Sequence, residues 1–272
     1  MIMDTGIITD IILVIGGIIA GLFSGLLGIG GGTILVPIQY NLLTEIFLID
    51  PDIALRTAFA TSLAVTLPTA LSSAYGHYKK GMIIWRIGLI AGLCGFLGGI
   101  SGGFIASIIS AAILVPLFAC VMFVMAGIMI VSKSNQDIDR CNLKSFPYII
   151  SGFLVGIISG MIGIGGGIIL APILIIFCRM PSRVASATTS LFVIAASTGG
   201  LISYIIMGGQ IPEMPFFTIG YLNLNWWIIL VIITVPMAQV GVYLLHRFDP
   251  WFIKYVFILL LLYLSVDMLG FW

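Results

Sequence analysis

Ten apolar runs separated by short polar stretches fill almost the whole chain, at approximately 7–27, 33–49, 54–76, 82–108, 111–131, 147–162, 168–178, 184–207, 226–245 and 251–271. A bilayer core about 30 Å thick is crossed by roughly 20 apolar residues in a helix. Most of the runs meet that length, so the pattern predicts an all-α polytopic membrane protein. Run 168–178 is shorter, about 16 Å at 1.5 Å per residue, and is expected to cross incompletely.

The charges between the runs alternate. Lys79 and Lys80 fall in one gap, Lys133, Arg140 and Lys144 in another, then Arg179 and Arg183, then Arg247 and Lys254. The intervening gaps hold Glu45, Asp50 and Asp52, or Glu213, with Arg56 only at a helix entry. Because lysine and arginine favour the cytoplasmic side, the basic gaps are expected inside and both termini outside. The opening stretch MIMDTGIITD has no lysine or arginine, so the first run is expected to remain in the mature chain.

The pattern also repeats. Shifted by 135 positions, GIIAGLFSGLLGIGGGTILVPI from Gly17 lies over GFLVGIISGMIGIGGGIILAPI from Gly152, and ATSL at 60–63 returns as TTSL at 188–191. Two transmembrane repeats, 1–134 and 135–272, follow from this shift. Each holds five runs, an odd number, so the second must enter the membrane from the opposite side. Such inverted-topology repeats occur in secondary transporters, whose substrate sites lie near the midplane on broken helices.

The breaks are visible in the sequence. Glycine in a helix interior costs up to about 1 kcal/mol relative to alanine, and GIGGG places four together as Gly28, Gly30, Gly31 and Gly32, and again as Gly163, Gly165, Gly166 and Gly167. Non-helical backbone at membrane depth survives only inside protein or beside a watery cavity. The runs around each GIGGG are therefore expected to be glycine-broken helices or re-entrant hairpins meeting near the midplane. Pro37 and Pro172 lack an N–H and free a carbonyl four residues earlier. The helix starting after each break offers unpaired N–H groups, which attract anions. The GIGGG glycines, with Thr61, Ser62, Thr189 and Ser190, are the candidate substrate-binding residues. These hydroxyls either donate to a bound oxyanion or bond back to their own helices. Ser24, Ser159, Gln39 and Gln239 are candidate lining of the path. Gly17, Gly21, Gly152 and Gly156, at small-xxx-small spacing, fit close helix packing.

Composition narrows the function. Hydrophobic residues make up 61% of the chain and charged residues 8%, with a net charge of +1 and no basic stripe for nucleic acid. Cys94, Cys120, Cys141 and Cys178 form no CxxC pair and read as small hydrophobes. Arg56, Arg86, Arg183, Asp267 and His77 sit near run ends, where interfacial roles account for them. No buried carboxylate pair, histidine chain, metal-ligand cluster or nucleophile with an adjacent base is readable, so neither an enzyme nor a cofactor is expected.

The paired GLLGIGGG…VP and GMIGIGGG…AP motifs, with ATSL and TTSL downstream, resemble the TauE/SafE sulfite exporter family across essentially the whole chain. That resemblance implies transport of small sulfur-containing anions such as sulfite, sulfonates or thiosulfate across a cytoplasmic membrane. With an inside-negative potential, an anion leaving the cell gains about 2.3 kcal/mol per charge per 100 mV. Export therefore needs no coupling ion, and the missing intramembrane carboxylates favour it. An anion channel with a glycine-loop filter, or an importer coupled to an ion gradient, are the alternatives. The partners expected are a small anion and the lipid bilayer; the sequence carries no signal for an oligomeric state.

Overall fold

A computed structural model describes residues 2–131, 146–178, 180–209, 217–245, 247 and 250–270. Lys133, Arg140, Cys141, Lys144, Arg179 and Glu213 lie outside the described residues. Ten α-helices follow in order: α1 (Ile2–Leu27), α2 (Gly32–Asn41), α3 (Pro51–Lys79), α4 (Trp85–Ile108), α5 (Ala111–Val131), α6 (Phe146–Ile162), α7 (Gly167–Cys178), α8 (Ser182–Met207), α9 (Leu224–Leu244) and α10 (Pro250–Met268). Each corresponds to one apolar run. Seven are long and apolar enough to cross a membrane.

Two local features escape the hydrophobic pattern. Run 33–49 ends early, because α2 passes into a π-helical turn, Leu42–Ile46, and stops. Before α9 a short antiparallel hairpin, β1 (Thr218–Ile219) and β2 (Leu222–Asn223), pairs Thr218 with Asn223. Two helix starts carry side-chain caps. Asp50 accepts from the Asp52 N–H ahead of Pro51, and Asn223 Oδ1 accepts from the Trp226 N–H.

Helix packing rests on close backbone approach. α1 lies along α9, and α6 along α4, through glycines that leave no room for a side chain. A Cβ on Gly152 would stand 2.6 Å from the Ala91 carbonyl oxygen, and one on Gly156 equally close to that of Gly95. α4 answers with its own glycine stripe, and a Cβ on Gly102 would collide with the Ile157 carbonyl. In lipid, where apolar burial drives little association, such contact is the principal source of helix affinity. α3 and α8 pack on each other at the centre, with α9 also against α3 and α4 also against α8.

The charges sort to opposite ends of the helices. Lys80, just past α3, donates to the Val242 carbonyl near the end of α9, and Lys254 near the start of α10 donates to Ile130 near the end of α5. Partial burial, then the nearby Arg183 charge, pushes the Lys80 ammonium below its usual range. This basic end holds Lys79, Lys80, Arg86, Arg183, Arg247 and Lys254. At the acidic end Asn41 donates to Asp267 at 2.9 Å, and Asp52 accepts from the Ala111 N–H that opens α5. Glu45, Asp50, Asp52 and Asp267 gather there with Arg56.

Candidate functional site

The two GIGGG segments are the breaks that join α1 to α2 and α6 to α7. Six glycines take left-handed backbone: Gly28 (φ 66°), Gly30 (87°) and Gly31 (77°) in one, Gly163 (69°), Gly165 (81°) and Gly166 (76°) in the other. Residues with a Cβ rarely adopt that conformation, and so many consecutive turns reverse the chain. α2 and α7 then run back toward the side from which α1 and α6 entered. At 12 residues, α7 is about 18 Å long. Each pair is a helical hairpin with a short return arm.

Both breaks sit at mid-depth and touch. Gly30 and Gly165 each pack against Thr66 and Val193, residues near the midpoints of α3 and α8. A Cβ on Gly32 would lie 2.8 Å from the Gly163 carbonyl oxygen, and one on Gly167 would lie 2.6 Å from that of Gly28. The contact is reciprocal, break against break, with no side chain between. Past each break, bonding resumes with the Ile34 and Leu35 N–H groups on Gly31 O and the Ile169 and Leu170 N–H groups on Gly166 O, which leaves the N–H groups before them in α2 and α7 without intrahelical acceptors.

The candidate hydroxyls flank these breaks on opposite sides. Thr189 donates to the Ser186 carbonyl at 2.9 Å and lies 3.5 Å from the Gly28 carbonyl, and Ser190 also bonds back to Ser186. Toward the acidic end, Ser62 accepts from Gln39 Nε2 at 3.2 Å and Thr61 accepts from the Asn223 N–H at 3.0 Å. All four are fully buried, as are Ser24 and Ser159, whose hydroxyls have no partner. Gln239 stands apart: it is exposed and bonds Ser72, away from the breaks. Pro37 and Pro172 sit inside α2 and α7, and the hydroxyl of Thr33, four residues before Pro37, is buried without a partner.

Several neighbours of the breaks were not readable as site residues. Thr66 Oγ1 donates to the Gly30 carbonyl at 2.6 Å, and Ser197, buried and unpartnered, borders Gly165. Tyr204, fully buried on α8, donates to the carbonyls of Gly160 and Met161 ahead of the second break. A lone threonine, serine or tyrosine in an apolar run carries no signal of such a contact. Threonine and serine recurring along 61–73, and with a closing tyrosine along 186–204, is the nearest to one.

A cavity of about 440 Å³ reaches the breaks from the basic end. Ile29, Ile168, Pro172 and Ser186 line its depth, and Ser182, Lys254, Trp251 and Leu245 its mouth. A second depression, at the acidic end beside Glu45, Asn41 and Asp267, is not lined by any residue of the breaks. Among the described residues no cluster of histidine, cysteine and carboxylates suits a metal ion.

Residues 13–268 match the family model described as sulfite exporter TauE/SafE. The chain belongs to the TauE/SafE family. A probable membrane transporter protein of Methanocaldococcus jannaschii is 31% identical over 88% of this chain and 87% of its own. One from Haemophilus influenzae is 31% identical over 76% of this chain and 78% of its own. A sulfite exporter TauE/SafE family protein of Arabidopsis thaliana is 34% identical over 31% of this chain and 20% of its own. No solved structure matches. Like its TauE/SafE relatives the chain is a membrane transporter, not an enzyme, and its helices make it a multi-pass membrane protein.

Proposed function

We propose that this transporter moves small sulfur-containing anions, such as sulfite, sulfonates or thiosulfate, outward across the cytoplasmic membrane by alternating access at the glycine breaks. The observation that carries the reading is the reciprocal backbone contact between Gly28–Gly32 and Gly163–Gly167 at the depth of a cavity lined by residues of the basic end. The N–H groups starting α2 and α7 converge there and supply anion attraction without a buried cation.

Two inverted repeats, 1–134 and 135–272, are supported by exchanged packing. α1 rests on α9 as α6 rests on α4, and α3 meets α9 as α8 meets α4. The positive-inside rule assigns the basic end to the cytoplasm and both termini to the outside, which makes this an inward-open arrangement. At the acidic end the Gln39–Ser62 and Asn223–Thr61 bonds bridge α2 to α3 and α3 to the hairpin. One open and one bridged end favour alternating access over a static channel.

Purified protein in liposomes, assayed with sulfite, methanesulfonate and thiosulfate, tests the reading. Saturable flux with accelerated counterflow from the opposite side is expected. Flux far above about a thousand ions per second would mark a channel, since domain motions take microseconds to milliseconds. Absence of flux for every sulfur anion would overturn the assignment.

A further inference from the structure

At the acidic end, Arg56 is the one lysine or arginine among the described residues, and no carboxylate is among its hydrogen-bond partners. Its Nη1 donates to the Tyr221 hydroxyl and its Nη2 to the Ile109 carbonyl, both at 3.2 Å, while Nε is buried without a partner. Its contacts are these two bonds and the Tyr221 ring, whose centroid lies 5.9 Å from Cζ. Asp52, one turn earlier, directs a carboxylate oxygen to the Ala111 N–H instead. A half-buried guanidinium with no carboxylate bonded to it is costly inside a membrane protein, and ionisable groups so placed mark ion pathways by default.

Two more donors on these two elements are unused. Thr57 and Asn223 are fully buried, and neither Thr57 Oγ1 nor Asn223 Nδ2 has a partner. Thr57 follows Arg56 and lies one helical turn before Thr61. Asn223 is two residues beyond Tyr221, and its N–H occupies the Thr61 hydroxyl. Thus the Arg56–Thr61 segment of α3 and the hairpin bonded to it at both residues carry a guanidinium, a hydroxyl and a carboxamide, each with an unspent donor, between the breaks and the acidic surface.

We propose that Arg56, Thr57 and Asn223 form a second anion subsite on the acidic side of the breaks, binding a sulfonate or sulfite-type oxyanion, with the β1–β2 hairpin as its movable wall. The proposal rests on the anion-transport reading above. In the structure the wall is closed, since the hairpin is bonded to both Arg56 and Thr61. Opening of the acidic end withdraws the hairpin and exposes the three donors to the anion.

The test is half-saturation measured from each side, in liposomes of known protein orientation, with sulfite and methanesulfonate as probes. Arg56→Gln should raise the value from the acidic end about tenfold or more, the scale of one lost charge-assisted hydrogen bond, and leave the value from the basic end within about twofold. Arg56→Lys, which keeps the charge but not the planar fork, should recover part of the loss. Equal increases from both sides, or none, would overturn the subsite and leave Arg56 as a latch between α3, Ile109 and the hairpin. Should Arg56→Gln fail to fold, Thr57→Val and Asn223→Ala carry the same comparison, and unchanged acidic-side values in both would overturn it. Wild-type liposomes separate the two ideas: no flux of either probe or of thiosulfate defeats the transport reading itself, whereas flux with symmetric effects defeats the subsite alone.

Discussion

At the scale of single residues, glycine has two separate tasks in this chain. Gly30 and Gly165 supply left-handed backbone, while Gly32 and Gly167, with ordinary φ, supply closeness to the opposite break. Gly32→Ala isolates the second task, because it adds one methyl 2.8 Å from the Gly163 carbonyl oxygen without forcing a forbidden φ. Overpacking of backbone against backbone costs about 1–3 kcal/mol, so the variant should melt earlier in detergent and transport more slowly. Gly127→Ala is the control: no atom lies within 4 Å of the place its new methyl would take, and alanine should gain up to about 1 kcal/mol of helix propensity. Equal melting of the two variants would contradict a break-to-break contact. Thr66 gives a second test, since Thr66→Val keeps the shape and loses only the 2.6 Å bond to Gly30. A loss of about 0.5–1.5 kcal/mol in stability is expected on chemical or thermal melting.

At the scale of elements, the hydrophobic runs located all ten helices because lipid allows few alternatives to the helix. Their ends were harder to read. The π-turn Leu42–Ile46 and the β1–β2 hairpin depend on local backbone geometry that hydropathy does not register. In the candidate site the breaks were legible, since consecutive glycines are poor helix formers wherever they occur. Thr66, Ser197 and Tyr204 were not, because their role comes from the crossing of α3 and α8 with the breaks rather than from neighbours in sequence. The small-residue stripe on α6 was likewise visible, but its counterpart on α4, Gly95, Gly98, Gly99 and Gly102, became meaningful only through contact. Gly102→Leu should prevent α4 from seating on α6, and little protein should accumulate in the membrane. Leu97→Ala, on an exposed face of the same helix, should accumulate normally. Comparing the two by immunoblot of membranes separates helix seating from general tolerance, and normal abundance of Gly102→Leu would refute the seating argument.

For the whole molecule, the arrangement of charge, cavity and breaks makes a claim about sidedness. Ser186 and Ile168 line the cavity from the basic end, while the acidic end is bridged by side-chain bonds. After replacement of the four native cysteines, Ser186→Cys should react with a membrane-impermeant maleimide added at the basic face and resist the same reagent at the acidic face. Equal labelling from both faces would mean a continuous path and favour the channel alternative. Energetics adds a second constraint on the same molecule. With no coupling carboxylate near the breaks among the described residues, an anion should move alone and carry its charge with it. A potential of 100 mV is worth about 2.3 kcal/mol per charge, so a monovalent sulfonate should distribute about fifty-fold toward the positive side at equilibrium. Imposing that potential on liposomes with a potassium gradient and valinomycin, then measuring methanesulfonate on both sides, reads the ratio directly. A ratio near one would indicate electroneutral movement with a co-transported cation, and would remove the thermodynamic argument for export unaided.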